Sequence, residues 1–472
     1  MKNISIWEDF SGKEFKSLNS DLDVDVLIIG GGITGISTLY HLKDSKLKVI
    51  LCEQNRIGRS VTGKSTGKLT FLQNDLIDKI KNKFSLNEAG IYINSQIYAM
   101  ESIVQIINKE SIECDLCKTY SYLYTNKDSE TEKLLNLEKY LNSIGIKTIT
   151  DINDLVKSKY MFKVGDTHLI NPIKLLYGLI CDNFNIYENT SIKKIEREDD
   201  YYICFTDKNK IKAKYVVLAS HYPYFSVPYL FPLKGSLEKS YISASKYNTT
   251  PISLISYSYP FISIRNYKDY LIYLSNSMNV SDSIDDLNNF KELNKKISDL
   301  KLKPDYLWSN IDIITNDGLP YIGKIKDNLY IGTGYNTWGL TNGFLAGKII
   351  SDMILGIDNE YAKIFNPKRI NFNQVAGALS DSISNVKGYI NGLFTKNGEI
   401  EYKIFGGDVI MNYKGDREYS VYHSCPHMGC GLIFNEVEKT YDCPCHGSRF
   451  DIKGKCISGP SNKDITFEGI DS

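Results

Sequence analysis

The sequence predicts an α/β protein built around a parallel sheet, with a second, smaller unit at its C-terminus. Asp25–Ile29 is an apolar run typical of a buried parallel strand, and it leads directly into the glycine-rich turn Gly30–Gly35. A helix is expected over Ile36–Lys43, and the next strand, Lys48–Cys52, ends at Glu53. Two short segments rich in Cys and His mark the C-terminal unit.

The first strand, turn and helix have the pattern of a dinucleotide site. In a G-x-G-x-x-G turn, Gly30 permits the tight bend, Gly32 lets a pyrophosphate approach the backbone, and Gly35 lets the helix pack closely on the strand. An acidic residue about twenty positions on, at the end of the second strand, accepts hydrogen bonds from ribose hydroxyls. The residues expected to bind the dinucleotide here are Gly30, Gly32, Ile33, Thr34, Gly35 and Glu53.

Each of the two C-terminal segments contains one cysteine and one histidine close together, as Cys-x-His in the first segment and Cys-x-x-His in the second. Cys425 and His427 form the first pair, and Cys443 and His446 form the second. Two thiolates suit an iron that stays ferric, whereas two neutral imidazoles leave a second iron easier to reduce, so the pattern favours a [2Fe-2S] cluster. A structural zinc site is the alternative, although zinc patterns usually place a Cys pair and a His pair on separate knuckles.

The residues around these pairs resemble the Rieske family. The segments CPHMGCGLIFN and DCPCHGSRFDIKGKCISGPS are similar to its two ligand loops and its proline loop. The resemblance implies a small antiparallel β fold, a disulfide between Cys430 and Cys445, and a hydrogen bond from the Ser448 hydroxyl to the cluster. Phe450 stands where the highest-potential members carry a tyrosine, so a potential in the middle of the range of about −150 to +300 mV is expected.

The rest of the chain resembles the FAD-dependent amine and D-amino acid oxidase superfamily, which indicates FAD rather than NAD. Lys214–His221 is similar to its returning strand, Gly58–Leu69 to the loop that passes the flavin, and residues 318–347 to its late glycine-rich stretch. That stretch wraps the flavin ring and points a helix N-terminus at its pyrimidine side. The resemblance adds to the FAD-binding residues Thr66, Gly67, Gly332, Gly334, Trp338, Gly339, Leu340 and Thr341.

A chain of 472 residues is long enough for about three domains. We predict an FAD-dependent oxidoreductase over 1–358, with flavin-binding pieces 22–75, 160–225 and 305–358 and substrate-domain insertions 76–159 and 226–304. The first insertion has helical periodicity over Leu76–Lys83, Glu88–Lys109 and Ser129–Ser143, whereas the second alternates as strands do. Residues 359–393 are expected to form a connector and a helix over Asn373–Leu393, and 394–472 the Rieske domain.

Composition excludes several classes of function. Lysine plus arginine and aspartate plus glutamate each number 56, so the formal net charge is zero and no basic excess indicates nucleic acid binding. No run of eighteen apolar residues predicts a membrane span. The N-terminal residues do not have the pattern of a secretory signal, so a cytoplasmic location is expected.

The expected chemistry is hydride transfer from the carbon beside an amine nitrogen to FAD, which requires a deprotonated amine held over the ring. Arg265 is the first candidate, because a guanidinium matches a substrate carboxylate. The other candidates are Tyr257 and His221, followed by Tyr259, Tyr273 and Lys234. Flavin carries two electrons and the cluster takes one at a time, so the flavin would act as a two-to-one converter.

Three functions fit these patterns. The first is a flavin and Rieske oxidoreductase that acts on an amine, amino acid or similar small molecule and exchanges electrons with an external partner. The second is an NAD(P)H-dependent ferredoxin-type reductase, which normally has two dinucleotide folds, whereas one G-x-G-x-x-G lies in the right context here. The third is a redox sensor or electron carrier without turnover.

Overall fold

The computed structural model describes residues 1–222, 234–369, 398–405, 407–415 and 417–467. The helices are α1 (Ile33–His41), α2 (Leu76–Lys83), α3 (Leu86–Lys109), α4 (Asp128–Ser143), α5 (Pro172–Gly178), α6 (Asp286–Asp299) and α7 (Gly339–Leu355). The first ten strands are β1 (Leu22–Ile29), β2 (Val49–Cys52), β3 (Lys68–Leu69), β4 (Cys117–Thr125), β5 (Thr148–Thr150), β6 (Tyr160–Leu169), β7 (Asn185–Tyr187), β8 (Lys194–Glu198), β9 (Tyr201–Phe205) and β10 (Lys210–Leu218). The remaining strands are β11 (Gly235–Lys246), β12 (Ser253–Ser256), β13 (Ser263–Tyr267), β14 (Tyr270–Asn279), β15 (Pro304–Thr315), β16 (Tyr321–Lys326), β17 (Leu329–Thr333), β18 (Ile400–Phe405), β19 (Asp408–Lys414), β20 (Glu418–Tyr422), β21 (Ile433–Asn435), β22 (Thr440–Asp442), β23 (Arg449–Asp451) and β24 (Cys456–Ser458).

The first large sheet has a parallel centre, as the apolar runs predict. Its order is β16-β17-β10-β1-β2-β7, and β1 lies between β10 and β2 with all three strands parallel. The inner residues of β1, such as Val26 and Ile28, are fully buried because parallel strands are covered on both faces. The carboxyl ends of β1, β2 and β10 therefore meet at one edge, which is where α/β sheets bind ligands.

Helix α1 leaves that edge and packs against α7. The close approach depends on Gly347, because a Cβ there would lie 2.4 Å from the Ser37 hydroxyl oxygen. The same hydroxyl donates to the Phe344 carbonyl at 2.7 Å. The helix that follows the first strand and the helix that follows the late glycine-rich stretch are thus held side by side.

The second large sheet has the order β15-β11-β14-β13-β12-β4-β6-β3. Two of its strands, β6 and β15, begin segments that the sequence assigns to the flavin-binding pieces, so that expectation is wrong for them. Part of β6 alternates between buried and more exposed residues, which is the pattern of an antiparallel sheet, whereas β15 contains six consecutive buried residues, a run that is also typical of a parallel strand. The three helices predicted in the first insertion are present as α2, α3 and α4, with β4 and β5 beside them.

The C-terminal unit, residues 398–467, is all-β as expected. It contains a three-stranded sheet, β18-β19-β20, and a four-stranded sheet, β21-β22-β23-β24, and the paired strands run antiparallel. The helix predicted over Asn373–Leu393 lies outside the described residues. Within the described ranges, no helix combines the length and the apolar character needed to cross a bilayer.

A buried cluster of charged residues joins the C-terminal unit to the second large sheet. Lys239 of β11 lies 2.7 Å from Asp286 and 2.7 Å from Asp442, the last residue of β22. Arg449 contacts Asp442 at 3.0 Å and Glu438 at 2.8 Å. Burial alone would raise the pKa of Asp442, but Arg449 and Lys239 hold that pKa well below its usual value. We call these five residues the interface ion cluster.

Hydrogen bonds extend the interface to the first large sheet. The side chains of Gln54 and Asn55, just after β2, donate to the Cys456 carbonyl at 3.1 and 3.3 Å. Farther along, the Asn462 amide donates to the Lys193 carbonyl at 3.0 Å. The C-terminal unit therefore contacts both large sheets, and its position is fixed by polar contacts as well as by packing.

Replacement of Lys239 tests the interface ion cluster. Lys239→Met leaves two buried carboxylates without their shared cation, and breaking a buried pair in this way costs about 3–5 kcal/mol. We expect a correspondingly earlier transition in urea, followed by circular dichroism, and faster proteolysis of the C-terminal unit.

The matched control is Lys246→Met on the same strand. The Lys246–Asp269 pair is largely exposed, with side chains 67% and 57% accessible, so its loss should change stability by less than about 1 kcal/mol. If both variants unfolded like the parent, the interface ion cluster would not be what holds the unit in place.

Candidate functional site

A cavity of about 1850 Å³, counted with its opening to solvent, is lined by residues from both large sheets. Its walls include the glycine-rich turn after β1, the end of β2, the loop Ser60–Lys68, and the first turn of α7. Residues of the C-terminal unit, Ile457, Ser458 and Gly459, also line it. The predicted nucleotide-binding edge and the C-terminal unit therefore share one cavity.

The glycine-rich turn has little room for side chains. Gly30 has a φ of +114°, and a Cβ there would lie 2.5 Å from the Ala219 carbonyl oxygen. At Gly35 a Cβ would lie 1.9 Å from the Gly30 oxygen, whereas at Gly32 its nearest neighbour is the Thr62 hydroxyl at 3.2 Å. Gly30 and Gly35 are thus required by the turn itself, and Gly32 keeps the cavity open at the N-terminus of α1.

Glu53 directly follows β2 and reaches back to the turn. Its carboxylate accepts hydrogen bonds from the Gly31 amide at 2.7 Å and the Asn55 amide at 2.8 Å. Burial raises the pKa of Glu53, and these two amides oppose the rise. A carboxylate has further acceptor sites, and Glu53 lines the cavity, so it can order the turn and accept ribose hydroxyls together.

The late glycine-rich stretch brings the N-terminus of α7 to the same cavity. Gly334, Asn336 and Thr337 all have positive φ, at +74°, +51° and +69°. The Asn336 side chain accepts from the Thr315 amide at 2.8 Å, which holds this left-handed run in place. The Tyr335 hydroxyl lies 2.7 Å from that of Thr34, so the stretch is tied to the first turn of α1.

These features fit FAD. The first turns of two helices, α1 and α7, open onto one cavity, and a helix N-terminus favours anionic groups such as a diphosphate or a flavin pyrimidine. Two buried polar atoms of the wall, Trp338 Nε1 and His221 Nε2, have no hydrogen-bond partner among the described residues. The residues that would hold FAD are those predicted: Gly30, Gly32, Ile33, Thr34, Glu53, Thr66, Gly67, Gly332, Gly339, Leu340, Thr341 and Trp338 all line the cavity, and Gly35 and Gly334 shape its turns.

Two of the candidate catalytic residues lie outside the cavity wall. Arg265 is 2% exposed, and its guanidinium donates to the carbonyls of Thr66 at 2.9 Å, Gly67 at 2.5 Å and Ile170 at 2.9 Å. It is occupied in holding the loop before β3, which corrects the expectation that it binds a substrate carboxylate. Tyr257 is likewise buried, with its hydroxyl donating to Asp78 at 2.7 Å.

His221 is placed at the cavity as expected, whereas Tyr259, Tyr273 and Lys234 lie away from its wall. Burial lowers the pKa of His221 to about 4, so the ring is neutral near pH 7. Its backbone has a φ of +63°, which is uncommon for a residue other than glycine.

Asp312 is a site residue that sequence reasoning missed. It lies on β15 at the cavity wall, directly across from Glu238 of β11. Burial, followed by the nearby charge of Glu238, raises the pKa of Asp312 to about 7. A carboxyl group with this pKa can exchange a proton near neutral pH. Its position could not be found from sequence, because it depends on the register of two strands distant in the chain.

The four predicted metal ligands come together in the C-terminal unit. Cys425 and Cys443 are each 1% exposed, and the rings of His427 and His446 lie 4.9 Å apart, centroid to centroid, at 90°. The Nδ1 atoms of both histidines are buried and have no hydrogen-bond partner in the described ranges. Burial lowers the pKa of His427, and that of His446 to about 4, so both imidazoles are neutral and able to ligate a metal.

Cys430 and Cys445 form a disulfide, as the resemblance implies. Their sulfurs lie close to that of Cys443, but two sulfurs bonded to each other are not thiolate ligands. The residues that would ligate a cluster are therefore Cys425, His427, Cys443 and His446, and the disulfide ties together the two loops that carry them.

Ser448 is fully buried beside the ligands. A hydrogen bond with the Cys443 thiol is the largest cause that lowers the pKa of Cys425 to about 7, and the Ser448 hydroxyl adds a further bond to the same sulfur. This contact fits the predicted role of Ser448 in stabilising negative charge at the cluster. Phe450, also fully buried, offers no hydroxyl there.

Comparison with known proteins follows this division of the chain. The family model described as FAD dependent oxidoreductase matches residues 25–353. The model described as Rieske [2Fe-2S] domain matches residues 394–467. The two kinds of site thus fall within two separate family matches.

Among curated proteins, the Rieske 2Fe-2S iron-sulfur protein YhfW of Bacillus subtilis is 27% identical over 97% of this chain and 96% of its own length. Gamma-glutamylputrescine oxidoreductase of Escherichia coli is 26% identical over 72% of this chain and 86% of its own length. Among solved structures, glycine oxidase from Geobacillus kaustophilus is similar with a TM-score of 0.61 and 16% identity, over 74% of this chain and 99% of that one. That structural likeness concerns the fold.

Gly32→Ala tests the nucleotide site. The new methyl group has space in the folded chain, because its nearest neighbour is a movable hydroxyl at 3.2 Å, but it occupies the path by which a pyrophosphate approaches the backbone. We expect FAD to bind at least tenfold more weakly, measured by flavin absorbance after titration of flavin-depleted protein, with little change in melting temperature.

Gly165→Ala is the control, since a Cβ there makes an ordinary contact of 3.5 Å with Tyr120. It should bind FAD like the parent. Equal affinity in the two variants would mean that the dinucleotide does not lie along this turn.

Ser448→Ala tests the hydrogen bond at the cluster. Loss of a hydrogen bond to a charged sulfur costs about 1.5–3 kcal/mol. Because the hydrogen bond favours the reduced, more negative cluster, its loss lowers the midpoint potential, by roughly 60–130 mV for a one-electron couple. Redox titration followed by EPR measures the shift.

Ser420→Ala in the same unit removes a hydroxyl that donates to Asn412 at 2.8 Å and should leave the potential unchanged. A potential that is the same in Ser448→Ala as in the parent would exclude this role for Ser448.

Proposed function

Because the chain belongs to the family of FAD dependent oxidoreductases and carries a Rieske [2Fe-2S] domain, we propose that it oxidises a small amine, or an amino acid or similar molecule, and exchanges the electrons singly with an external redox partner. The observation that carries the substrate class is Asp312, a carboxyl group at the wall of the flavin cavity. A cytoplasmic location is part of the same proposal.

When bound, FAD accepts a hydride from the carbon beside the amine nitrogen, and the [2Fe-2S] cluster handles electrons one at a time. The overall change is balanced: a primary amine with a hydrogen on that carbon reacts with one water to give the carbonyl compound and ammonia, with release of two protons and two electrons. The C–H and C–N bonds of the amine break, and the carbonyl oxygen comes from the water. A one-electron carrier protein receives the two electrons in succession.

The charged groups of the cavity favour an amine over a carboxylate. Burial lowers the pKa of Lys64, and it lowers that of Lys68 well below the usual value, so neither is a strong anchor for an anion. The Lys68 side-chain nitrogen already donates to the Leu254 carbonyl at 2.8 Å. Asp312 can instead hold the ammonium form of the substrate and take its proton, which leaves the free amine that hydride transfer requires.

Similarity to known proteins supports this substrate class. The Escherichia coli relative is named for gamma-glutamylputrescine, an amine. Solved structures with the same fold include glycine oxidase and an L-amino acid deaminase from Proteus vulgaris, the latter with a TM-score of 0.59 and 17% identity. These names concern those proteins, and for this chain they indicate which compounds to test first.

The pH dependence of amine oxidation tests Asp312. Since the deprotonated carboxylate is the form that accepts the proton, kcat/KM should fall as pH decreases through about 7, the pKa of Asp312. Asp312→Asn should lower kcat/KM about 10²-fold or more, the usual size of a general-base effect, and should abolish this limb of the profile.

Glu238→Gln is the companion variant. The charge of Glu238 helps to raise the pKa of Asp312, and Lys79 is the cation that acts on Glu238. Removal of the Glu238 charge should therefore move the acidic limb of the pH profile to lower pH while oxidation continues. An unaltered profile in both variants would exclude Asp312 as the base.

A spectroscopic experiment separates amine oxidation from the other candidate functions. Candidate amines and NADH are added anaerobically to the purified holoprotein, and the flavin band is followed. Bleaching by an amine supports the proposal. Bleaching by NADH alone would instead support a ferredoxin-type reductase, and bleaching by neither would support a redox carrier or sensor.

A further inference from the structure

Two adjacent residues in the turn that follows β10 contact the two sites. His221 lines the flavin cavity. Tyr222 is 6% exposed, and its ring centroid lies 6.3 Å from that of His427 and 6.3 Å from that of His446. One peptide unit therefore separates a wall residue of the cavity from an aromatic ring placed equally against both histidine ligands.

A second, smaller cavity lies between the sites and is continuous with these residues. It is lined by His221 and Tyr222 together with His446 and Gly459, and Gly459 also lines the flavin cavity. A Cβ at Gly447, next to His446, would lie 3.3 Å from Ile311 of β15. The side of the cluster site that carries His427 and His446, which we call the histidine edge, thus faces the flavin cavity.

The turn that places the two rings is built into the fold. His221 adopts a left-handed backbone conformation, which costs free energy for a residue with a side chain. Its carbonyl accepts a hydrogen bond from the Thr333 hydroxyl, and its ring makes a hydrogen bond with the Ile311 backbone. The interface ion cluster holds the C-terminal unit beside this turn. The two sites are therefore adjacent without a movement of the C-terminal unit.

We propose that Tyr222, supported by His221, is a positioning residue for electron transfer between the flavin cavity and the histidine edge of the Rieske cluster. This inference rests on the proposed function. Each two-electron oxidation in the cavity gives up two electrons, which cross to the cluster one after the other and leave to the external one-electron carrier. Electron tunnelling is faster through bonded and packed atoms than through empty space, and the Tyr222 ring lies at the wall of the smaller cavity, beside the rings of His427 and His446.

The experiment measures transfer between the centres without using a substrate. The FAD of the anaerobic holoprotein is reduced by a light pulse with an added photoreductant, and the appearance of the reduced cluster is followed by absorbance and by freeze-quenched EPR. Tyr222→Leu removes the ring and should slow cluster reduction at least tenfold. Tyr222→Phe keeps the ring and should transfer at nearly the parent rate.

The EPR spectrum and the midpoint potential of the cluster show whether a variant changes electron transfer alone or also disturbs the cluster site. The EPR spectrum and the midpoint potential of the cluster should be the same in the parent and in Tyr222→Phe, since neither cysteine nor histidine ligation changes. Tyr215→Leu is the control, because Tyr215 lies on β10, the strand that precedes Tyr222, packs on Tyr330 with ring centroids 6.5 Å apart, and lines neither cavity.

The rates of cluster reduction in Tyr222→Leu, Tyr222→Phe and the parent test the role of Tyr222 and the relay separately. Equal rates in Tyr222→Leu and the parent would overturn the role of Tyr222 while leaving the proposed function intact. If Tyr222→Leu does not assemble its cluster, Tyr222→Phe decides instead: a tenfold loss of rate with a normal EPR spectrum would show that the aromatic ring is not what couples the centres. Absence of any transfer in the parent would overturn the relay itself, and failure of amines to bleach the flavin would overturn the proposed amine oxidation without bearing on the role of Tyr222.

Discussion

The structure depends on the interface ion cluster, because it fixes the C-terminal unit against the second large sheet. Lys239, Asp442 and Arg449 are almost completely buried, and isolated charges would be very costly in such a place. Each of them is paired instead, and Arg449 bonds to both carboxylates of its own unit. Such pairs are weak evidence of high stability, but they require one geometry. A displaced C-terminal unit would leave buried charges without partners.

That fixed geometry explains why the two sites share walls. Ile457, Ser458 and Gly459, at the end of the last strand of the C-terminal unit, complete the flavin cavity. A Cβ at Gly459 would lie 2.4 Å from the Ser448 Cα, so this loop also presses on the loop of the ligand Cys443. The same few residues therefore bound the flavin cavity on one side and the cluster on the other, and a shift of either site would move the other.

The features found from sequence are those encoded by neighbouring residues. The turn after β1, the acid that follows β2 and the four predicted cluster ligands belong to short motifs whose spacing carries the chemistry, and the disulfide partners are implied by the resemblance to the Rieske family. Arg265 shows the opposite case. Its charge suggested a ligand for a carboxylate, yet the fold uses it to satisfy the carbonyls of Thr66, Gly67 and Ile170, a set of acceptors that comes from two distant segments.

Asp312, Tyr222 and the interface ion cluster escaped prediction for the same reason. Asp312 acquires its raised pKa from burial and from Glu238, which faces it only because β11 and β15 pair in one register. Tyr222 was hidden among many sheet tyrosines, because its neighbours His427 and His446 lie about two hundred positions away in the chain.

The positions of the charged and neutral groups separate the proposed site of proton exchange from the proposed site of electron exchange. We propose proton exchange at Asp312 on β15 and electron exchange in the turn after β10, where His221 is neutral near pH 7 because burial lowers its pKa to about 4. A neutral ring at that position neither attracts the substrate ammonium nor competes for its proton. Under the proposed function, a substrate ammonium group would therefore bind near Asp312, away from His221 and Tyr222.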